Sequence, residues 1–394
     1  MNISVILCVA NKRREYGENM DALSLLIKPA SGNCNMRCRY CFYADVTDSR
    51  EVKNRGMMTL DTLEILVKKA FEEATHFVSF GFQGGEPTLA GLDFYKALME
   101  FQKTYNIRRI PVSNSIQTNG SLIDADWAEF FAENQFLTGL SIDGTKEIHD
   151  RLRPDAQRKG TYLRCMKAVD TLTKASADFN ILTVVTRDFA RHPDKAYNFY
   201  KKNNLRYIQL IPCLDGLEEA HGSSPYSLSA ELYGDFLCRF FDLWYEDFIR
   251  GDYYSVRMFD NYIRIPMGEP PENCGMRGHC SAYPVIEADG SVYPCDFYVI
   301  DEYLLGYVQK DSFTDMLQGA TAARFITPSE TVHEDCLTCP YGFLCRGGCR
   351  RDRETMPDGS LSVNYYCEGY KKFFAHTKDR IMDIARKMLQ DPPT

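Results

Sequence analysis

The sequence predicts an α/β protein: a partial (βα)6, TIM-like barrel followed by a small cysteine-rich domain. Three observations carry this. Between residues 23 and 212, short apolar runs alternate with stretches of helical spacing, and the runs end in polar or glycine-bearing loops. From Cys274 onward the texture changes to cysteines, glycines and short segments. The chain carries fifteen cysteines, and most of them cluster. In a chain that is not exported, clustered cysteines are more often metal ligands than disulfides.

The elements follow in order. Leu23–Lys28 is an apolar strand that ends in a Pro-Ala-Ser-Gly loop. Thr59 reads as an N-cap, with Leu60, Leu63, Val67, Ala70 and Phe71 at helical spacing behind it. Phe77–Gln83 is the second strand and stops at Gly84-Gly85. Leu92–Thr104 is helical, Pro111–Gln117 a strand, and Asp124–Asn134 helical. Phe136–Ile142 is a strand that ends at Asp143-Gly144. Helix Thr161–Lys174, strand Phe179–Val185, helix Pro193–Asn203 and strand Tyr207–Ile211 complete six steps, short of the eight of a closed barrel. Ser229–Arg250 is a long aromatic-rich helix. The domain boundaries are therefore an N-terminal extension over 1–22, read as disordered, the barrel over 23–228, a helical bridge over 229–273, the cysteine-rich domain over 274–370 and a C-terminal helix and tail over 371–394. Translation from Met20 is the alternative to Met1.

Composition excludes some functions. Net charge is −8 with no long basic run, which argues against a nucleic-acid surface. No apolar run reaches the roughly 18 residues of a membrane span. The basic cluster Lys12–Arg14 follows rather than precedes the short apolar patch at the start, the wrong order for a secretory signal. The expected location is cytoplasmic.

Cys34, Cys38 and Cys41 form C-x3-C-x2-C in the loop after the first strand. Ligands of parallel α/β folds bind at that end of the strands. Three thiolates leave one iron of a four-iron cube open, and an open iron can take a small molecule with an amine and a carboxylate. A zinc site or a set of redox thiols is the alternative. Zinc in a structural site takes four protein ligands, and no histidine lies in this cluster.

Eight further cysteines are Cys274, Cys280 and Cys295, then Cys336, Cys339, Cys345, Cys349 and Cys367. They suffice for two four-thiolate shells, and ligation of this kind can hold together a domain with little apolar core. Gly290, in the turn Ala288-Asp289-Gly290, suits a hairpin that carries Cys295. One or two zinc knuckles are the alternative. Cys8, Cys165, Cys213 and Cys238 are left as plain thiols.

These residues carry a family resemblance. Cys34–Cys41, with Tyr40 before the third cysteine, resembles the radical S-adenosylmethionine signature, and QGGEP over Gln83–Pro87 resembles that family's second motif. The resemblance implies cofactor contacts at Tyr40, Gly84, Gly85 and Glu86. Glu86 would accept from the methionine ammonium, and the glycines would admit close backbone approach. Ser141 and Asp143 match positions that hold the ribose and methionine parts of the cofactor. Gln117 and Asn119 in QTNG are weaker candidates.

The cysteine-rich region resembles the SPASM extension of radical enzymes that modify peptides. That likeness assigns Cys274, Cys280, Cys295 and Cys349 to one auxiliary cluster and Cys336, Cys339, Cys345 and Cys367 to another. With the first cluster this implies three 4Fe-4S clusters and S-adenosyl-L-methionine.

Within that group the chain most resembles anaerobic sulfatase-maturating enzymes, on LSLLIKPASGNCNMRCRYCFY, FQGGEPTLAGL, SNSIQTNG, FDLWYEDF, SVYPCDFYV and LCRGGCRR. The implied reaction oxidises a cysteine, with serine as a second target, of an unfolded sulfatase polypeptide to Cα-formylglycine. A 5′-deoxyadenosyl radical would take hydrogen from Cβ, and flavodoxin or ferredoxin would supply electrons. Asp296 is the implied base. Burial beside an anionic cluster is expected to favour its protonated form. Tyr43 and Gln83 are implied to line the substrate pocket. An oxygen-sensitive open cluster implies an anaerobic or microaerobic host.

Two rivals stand beside this reading. One is another SPASM peptide modifier that forms thioether or carbon–carbon crosslinks. The other is a non-enzymatic iron–sulfur carrier or zinc protein, for which a barrel of this size is excessive.

Overall fold

The computed structural model describes residues 20–390. The expectations for residues 1–19 lie outside the described residues. Met20–Ala22, assigned above to the N-terminal extension, instead open the first strand.

Six strands alternate with helices in the expected (βα)6 order: β1 (Met20–Ile27), β2 (Ala74–Phe82), β3 (Val112–Thr118), β4 (Phe136–Ser141), β5 (Phe179–Val185) and β6 (Tyr207–Pro212). The helices along this stretch are α1 (Phe42–Asp48), α2 (Leu60–Glu73), α3 (Leu92–Tyr105), α4 (Ala125–Glu133), α5 (Lys146–Leu152), α6 (Tyr162–Lys174), α7 (Arg187–Ala190) and α8 (Pro193–Lys202). Thr59 caps α2 as expected, its side chain accepting from the Thr62 N–H. β2 begins three residues before Phe77 because α2 passes straight into it at Ala74. No glycine or proline marks that junction for a sequence reader. α1 and α5 escape sequence reading because seven residues give barely two turns of periodicity.

The chain divides into two compact units. The first holds 20–141, 153–179 and 281–326 of the described residues. In it β1, β2, β3 and β4 pair in parallel and in order. The cysteine-rich region contributes three short strands to the same sheet: β8 (Val285–Ile286), β9 (Ser291–Tyr293) and β10 (Gly306–Tyr307). β8 runs parallel to the end of β1, against Leu26 and Ile27, and β9 and β10 follow antiparallel. Gly290 lies in the β8–β9 turn, as the sequence suggested. The core is built by alternation along the strands, with Leu23, Leu25 and Ile27 of β1 and Val78, Phe80 and Phe82 of β2 fully buried. Against it α2 lays Leu63, Leu66, Val67 and Ala70. Phe82, Tyr95, Trp127 and Phe136 meet edge to face.

The second unit holds 142–152, 180–280 and 327–390 of the described residues. β5, β6 and β7 (Ser255–Val256) are parallel there. Helix α9 (Ala230–Ile249) carries the aromatic face foreseen for the bridge, with Phe236, Phe240, Phe241 and Trp244 buried. It is followed by α10 (Arg257–Arg264) and, at the far end of the unit, by α15 (Cys367–Gln390). α11 (Phe313–Gln318) and α12 (Ala320–Ile326) belong to the first unit, and α13 (Glu334–Leu337) and α14 (Gly342–Cys345) to the second. α9 and α15 cross where Gly234 meets Gly369. A Cβ on Gly369 would lie 2.2 Å from the Ala230 carbonyl oxygen, so only glycine permits this approach.

Candidate active site

The β8–β9 hairpin delivers its following turn to the carboxyl ends of β1 and β2. Lys28 is the first residue after β1, and its N–H donates to the Ile286 carbonyl at 2.8 Å. Gln83 follows β2 and donates in the same way to Ile27 at 2.9 Å. Asp296, next to Cys295, opens a 3₁₀ turn and is buried. Its carboxylate forms an ion pair with Lys28 and accepts from Gln83 Nε2 at 2.7 Å. The Lys28 ammonium lies 3.9 Å from the centroid of the Tyr43 ring, a cation–π contact that adds to the pair. Sequence-predicted Tyr43, Gln83 and Asp296 therefore converge, and they do so around a lysine that sequence reasoning passed over. Lys28 is fully buried. A cation thus stands beside the carboxylate whose protonated form burial and an anionic cluster were expected to favour.

Tyr43 is held from its other end. Its hydroxyl donates to Glu287, which also takes the Arg50 guanidinium at 2.7 Å with both side chains fully buried. Burial first, and then the neighbouring Glu287, push the Tyr43 phenol well above its ordinary range, so it stays a donor. Phe42 follows Cys41 in the chain and Phe297 follows Asp296, and the two rings meet edge to face at 5.0 Å. That contact ties the three-cysteine loop to the carboxylate.

The loop itself is packed by the second motif. The Glu86 N–H donates to the Asn33 carbonyl at 2.8 Å. A Cβ on Gly85, whose φ is +57°, would lie 2.2 Å from that same oxygen. Gly85 thus permits the close approach of the loop that leads into the cysteines, while a Cβ on Gly84 would meet the Lys28 side chain at 2.8 Å. Glu86 is 1% exposed and accepts from Thr88 N–H at 3.1 Å, Thr88 Oγ1 at 2.6 Å, Thr118 Oγ1 at 2.7 Å and Asn119 N–H at 2.8 Å. Three of these bonds go to Oε1 and one to Oε2, and they fasten the ends of β2 and β3 together. Asn119 then reaches Asn35 at 2.8 Å, between Cys34 and Cys38 in sequence. Tyr40 accepts from Arg153 at 2.8 Å. Ser141 is buried at the end of β4. In the second unit Asp143 is fully buried and accepts from the Val184 N–H at 3.1 Å, which gives it a place in the β5 backbone ladder.

Cys34 and Cys38 are half-buried and Cys41 exposed. Burial, the largest cause, pushes the Cys34 thiol up to about 11. Ligation there has to displace a proton. In the second unit Cys345 lies close enough to feel Cys367, Cys336 and Cys339, and burial pushes it up to about 11 as well. The Cys349 Cβ is 3.4 Å from where a Cβ on Gly275 would lie, beside the Cys274 turn. The Cys280 N–H is fixed by Ser329 Oγ at 2.8 Å. Cys295, in the first unit, is half-buried at the start of the Asp296 turn. Among the described residues no three His, Cys, Asp or Glu side chains converge to hold a single metal ion.

Comparison with known proteins agrees with this chemistry. The family model described as Radical SAM superfamily matches residues 29–199, and that described as an iron-sulfur cluster-binding domain, SPASM, matches 274–340. The cysteine-type anaerobic sulfatase-maturating enzyme of Clostridium novyi is 48% identical over 94% of this chain and 99% of its own. The serine-type enzyme of Bacteroides thetaiotaomicron is 32% identical over 96% of this chain and 95% of its own. A solved structure of anSMEcpe with bound AdoMet and Cp18Cys peptide superposes with a TM-score of 0.89 at 44% identity, over 93% of this chain and 99% of that one.

Proposed function

This chain belongs to the anaerobic sulfatase-maturating enzymes of the radical SAM superfamily, and we propose that it oxidises the target cysteine of an unfolded sulfatase to Cα-formylglycine, with Asp296 as the base. The observation that carries the assignment of Asp296 is its placement: a buried carboxylate held by Lys28 and Gln83 and tied through Phe297 to the loop of Cys34, Cys38 and Cys41. The higher identity to the cysteine-type relative favours cysteine over serine as the target.

Cys34, Cys38 and Cys41 are the ligands of the cluster that leaves one iron open. Cys336, Cys339, Cys345 and Cys367 ligate one auxiliary cluster, and Cys274, Cys280 and Cys349 belong to the other, whose remaining position the resemblance gives to Cys295. When bound, these clusters and S-adenosyl-L-methionine supply one-electron cleavage of the sulfonium, the radical that takes hydrogen from Cβ, and an outlet for the second electron. The residues of the chain do the rest. Asp296 takes the thiol proton as the carbon–sulfur bond gains double-bond character. Gln83 fixes one carboxylate oxygen and Lys28 the other, so the carboxylate keeps its aim while it changes protonation. Tyr43, pinned by Glu287, forms the floor beneath Lys28. The thioaldehyde left on the substrate then hydrolyses with loss of sulfide. The electron donor is a flavodoxin or ferredoxin, and the site of action is the cytoplasm. The described residues include no helix long and apolar enough to cross a membrane.

The test uses enzyme reconstituted with iron and sulfide without oxygen, then given dithionite, S-adenosylmethionine and sulfatase peptides carrying cysteine or serine. The cysteine peptide loses about 18 Da and the serine peptide about 2 Da if each becomes the same aldehyde. Asp296→Asn keeps iron and 5′-deoxyadenosine formation while product falls by about 10²-fold or more. Deoxyadenosine without either mass change moves the substrate to the crosslinking class, and full product from Asp296→Asn removes Asp296 from its role.

A further inference from the structure

The chain as a whole is acidic, with a net charge of −8, yet the surface around the three-cysteine loop is not. Two segments of the first unit build it. Met36 forms an antiparallel bridge with Asp155. The Arg37 N–H donates to the Pro154 carbonyl at 2.8 Å, and the Ala156 N–H to the Asn35 carbonyl at 3.2 Å. Residues 34–41 and 153–160 thus lie side by side. Against Arg37, Arg39, Arg153, Arg158 and Lys159 they carry one carboxylate, Asp155. Arg153 is buried and the other four cations are exposed. Arg37 lays its guanidinium on the Cys34 and Met36 carbonyls at 2.6 and 2.7 Å, which fixes its charge on the loop. Asp155 is spent on Arg164 at 2.6 Å and on the N–H groups of Gln157 and Lys159 at 2.9 Å, closing the turn that holds out Arg158 and Lys159. Of the carboxylates on α1, Asp45 is half-buried and Asp48 pairs with Lys53 at 2.9 Å. Among the described residues no carboxylate pairs with any of the four exposed cations. Cys41, the third cysteine of the loop, is itself exposed.

We propose that this basic face is where an acidic flavodoxin docks to reduce the cluster of Cys34, Cys38 and Cys41; the inference rests on the reading of those three residues as its ligands. Two acidic proteins repel one another, and a cationic face on one of them steers the encounter and raises its rate by about 10- to 10³-fold. Electron-transfer encounters bury little surface, so a few cations around one loop suffice to orient the carrier. Three of the four exposed cations are arginines. Their planar guanidinium groups stack on aromatic rings, which suits the exposed edge of a flavin better than the thiolate loop of a ferredoxin. In the docked pair the anionic flavin hydroquinone gives up one electron and becomes the neutral semiquinone, and the cluster gains one negative charge. No proton moves and no bond breaks in this step.

The experiment mixes the reconstituted holoenzyme, its iron counted per chain, with flavodoxin hydroquinone in a stopped-flow cell and follows semiquinone absorbance at several salt concentrations. Titration calorimetry with oxidised flavodoxin measures binding apart from electron transfer. In Arg39→Glu with Arg158→Glu and Lys159→Glu, the second-order rate constant at low salt falls by about 10-fold or more, affinity falls with it, and the parent's decline with added salt disappears. Lys68→Glu with Lys96→Glu and Lys103→Glu makes the same change in net charge at exposed lysines of α2 and α3, and it stays near the parent. A parental rate constant in the first variant overturns the proposal, as does an equal loss in the second. So does a parent that accepts electrons from an acidic ferredoxin but not from flavodoxin. If the first variant loses iron, Arg158→Glu with Lys159→Glu decides, because that turn carries no cysteine; its rate constant still falls by about 3-fold, and no fall overturns the proposal. With dithionite in place of flavodoxin, the variants form 5′-deoxyadenosine as the parent does. A fully loaded parent that forms none even with dithionite would instead sink the reading of the three-cysteine cluster.

Discussion

Lys28 has no sequence signal of its own. It follows an apolar strand, where a lysine ordinarily marks the return to solvent, and its carboxylate partner lies 268 positions away. Only the pairing of β8 with β1 brings Asp296 to it. Replacing Lys28 by methionine keeps the volume over the Tyr43 ring and removes the charge. Cluster content and 5′-deoxyadenosine formation are expected to survive, while formylglycine falls by about 10²-fold, uncoupling cofactor cleavage from product. Iron assay, chromatography and peptide mass on one preparation check all three. Asp296, Gln83 and Tyr43 were legible because each sits inside a short motif that a reader can match. Their partner was not, because a long-range ion pair leaves no local pattern. Gly85 lies between these cases: its motif was legible, but the 2.2 Å clearance against Asn33 could only be seen folded. Gly85→Ala is expected to displace the cysteine loop and lower the iron held there, leaving auxiliary iron in place.

At the scale of elements, the legible parts were those with a full period to read. The six strands and the long helices repeat often enough for spacing to speak. β8 and β10 are two residues each, and nothing in so short a run separates strand from loop. Their placement depends on a buried pair instead. Arg50, after α1, meets Glu287, at the end of β8, with neither side chain exposed. This fastens the hairpin that carries Asp296 to the loop that carries the cysteines. A buried pair broken on one side leaves an uncompensated charge, at a cost of about 3–5 kcal/mol. Arg50→Met is expected to lose that much in a urea titration, and Arg50→Met with Glu287→Met to recover most of it. A double variant no more stable than the single would show that the hydrogen bond from Tyr43 to Glu287, rather than the ion pair, secures the hairpin.

The whole molecule must keep its iron-binding fold across the range of pH in which it works, and one buried carboxyl sets part of that dependence. Asp352, three residues after Cys349, is buried, and burial raises its pKa to about 6 against the smaller opposing effects of Arg351 and Asn364. In the unfolded chain the same carboxyl titrates near 3.9. Between these values the folded state holds a proton that the unfolded state has released. Stability therefore falls as pH rises from about 4 to above 6, and about 3 kcal/mol is lost over the interval. Asp352→Asn has no proton to lose and keeps an uncharged group of the same shape. Its urea midpoint relative to the parent is therefore expected to climb between pH 5 and pH 7, in favour of the variant, and to level off above that. Iron content is measured at each pH, so that cluster loss is separated from unfolding. A difference that stays flat from pH 5 to pH 7 would mean that water or Arg351 keeps Asp352 ionised in the folded state, and the pH dependence of the fold would then have to come from groups outside this loop.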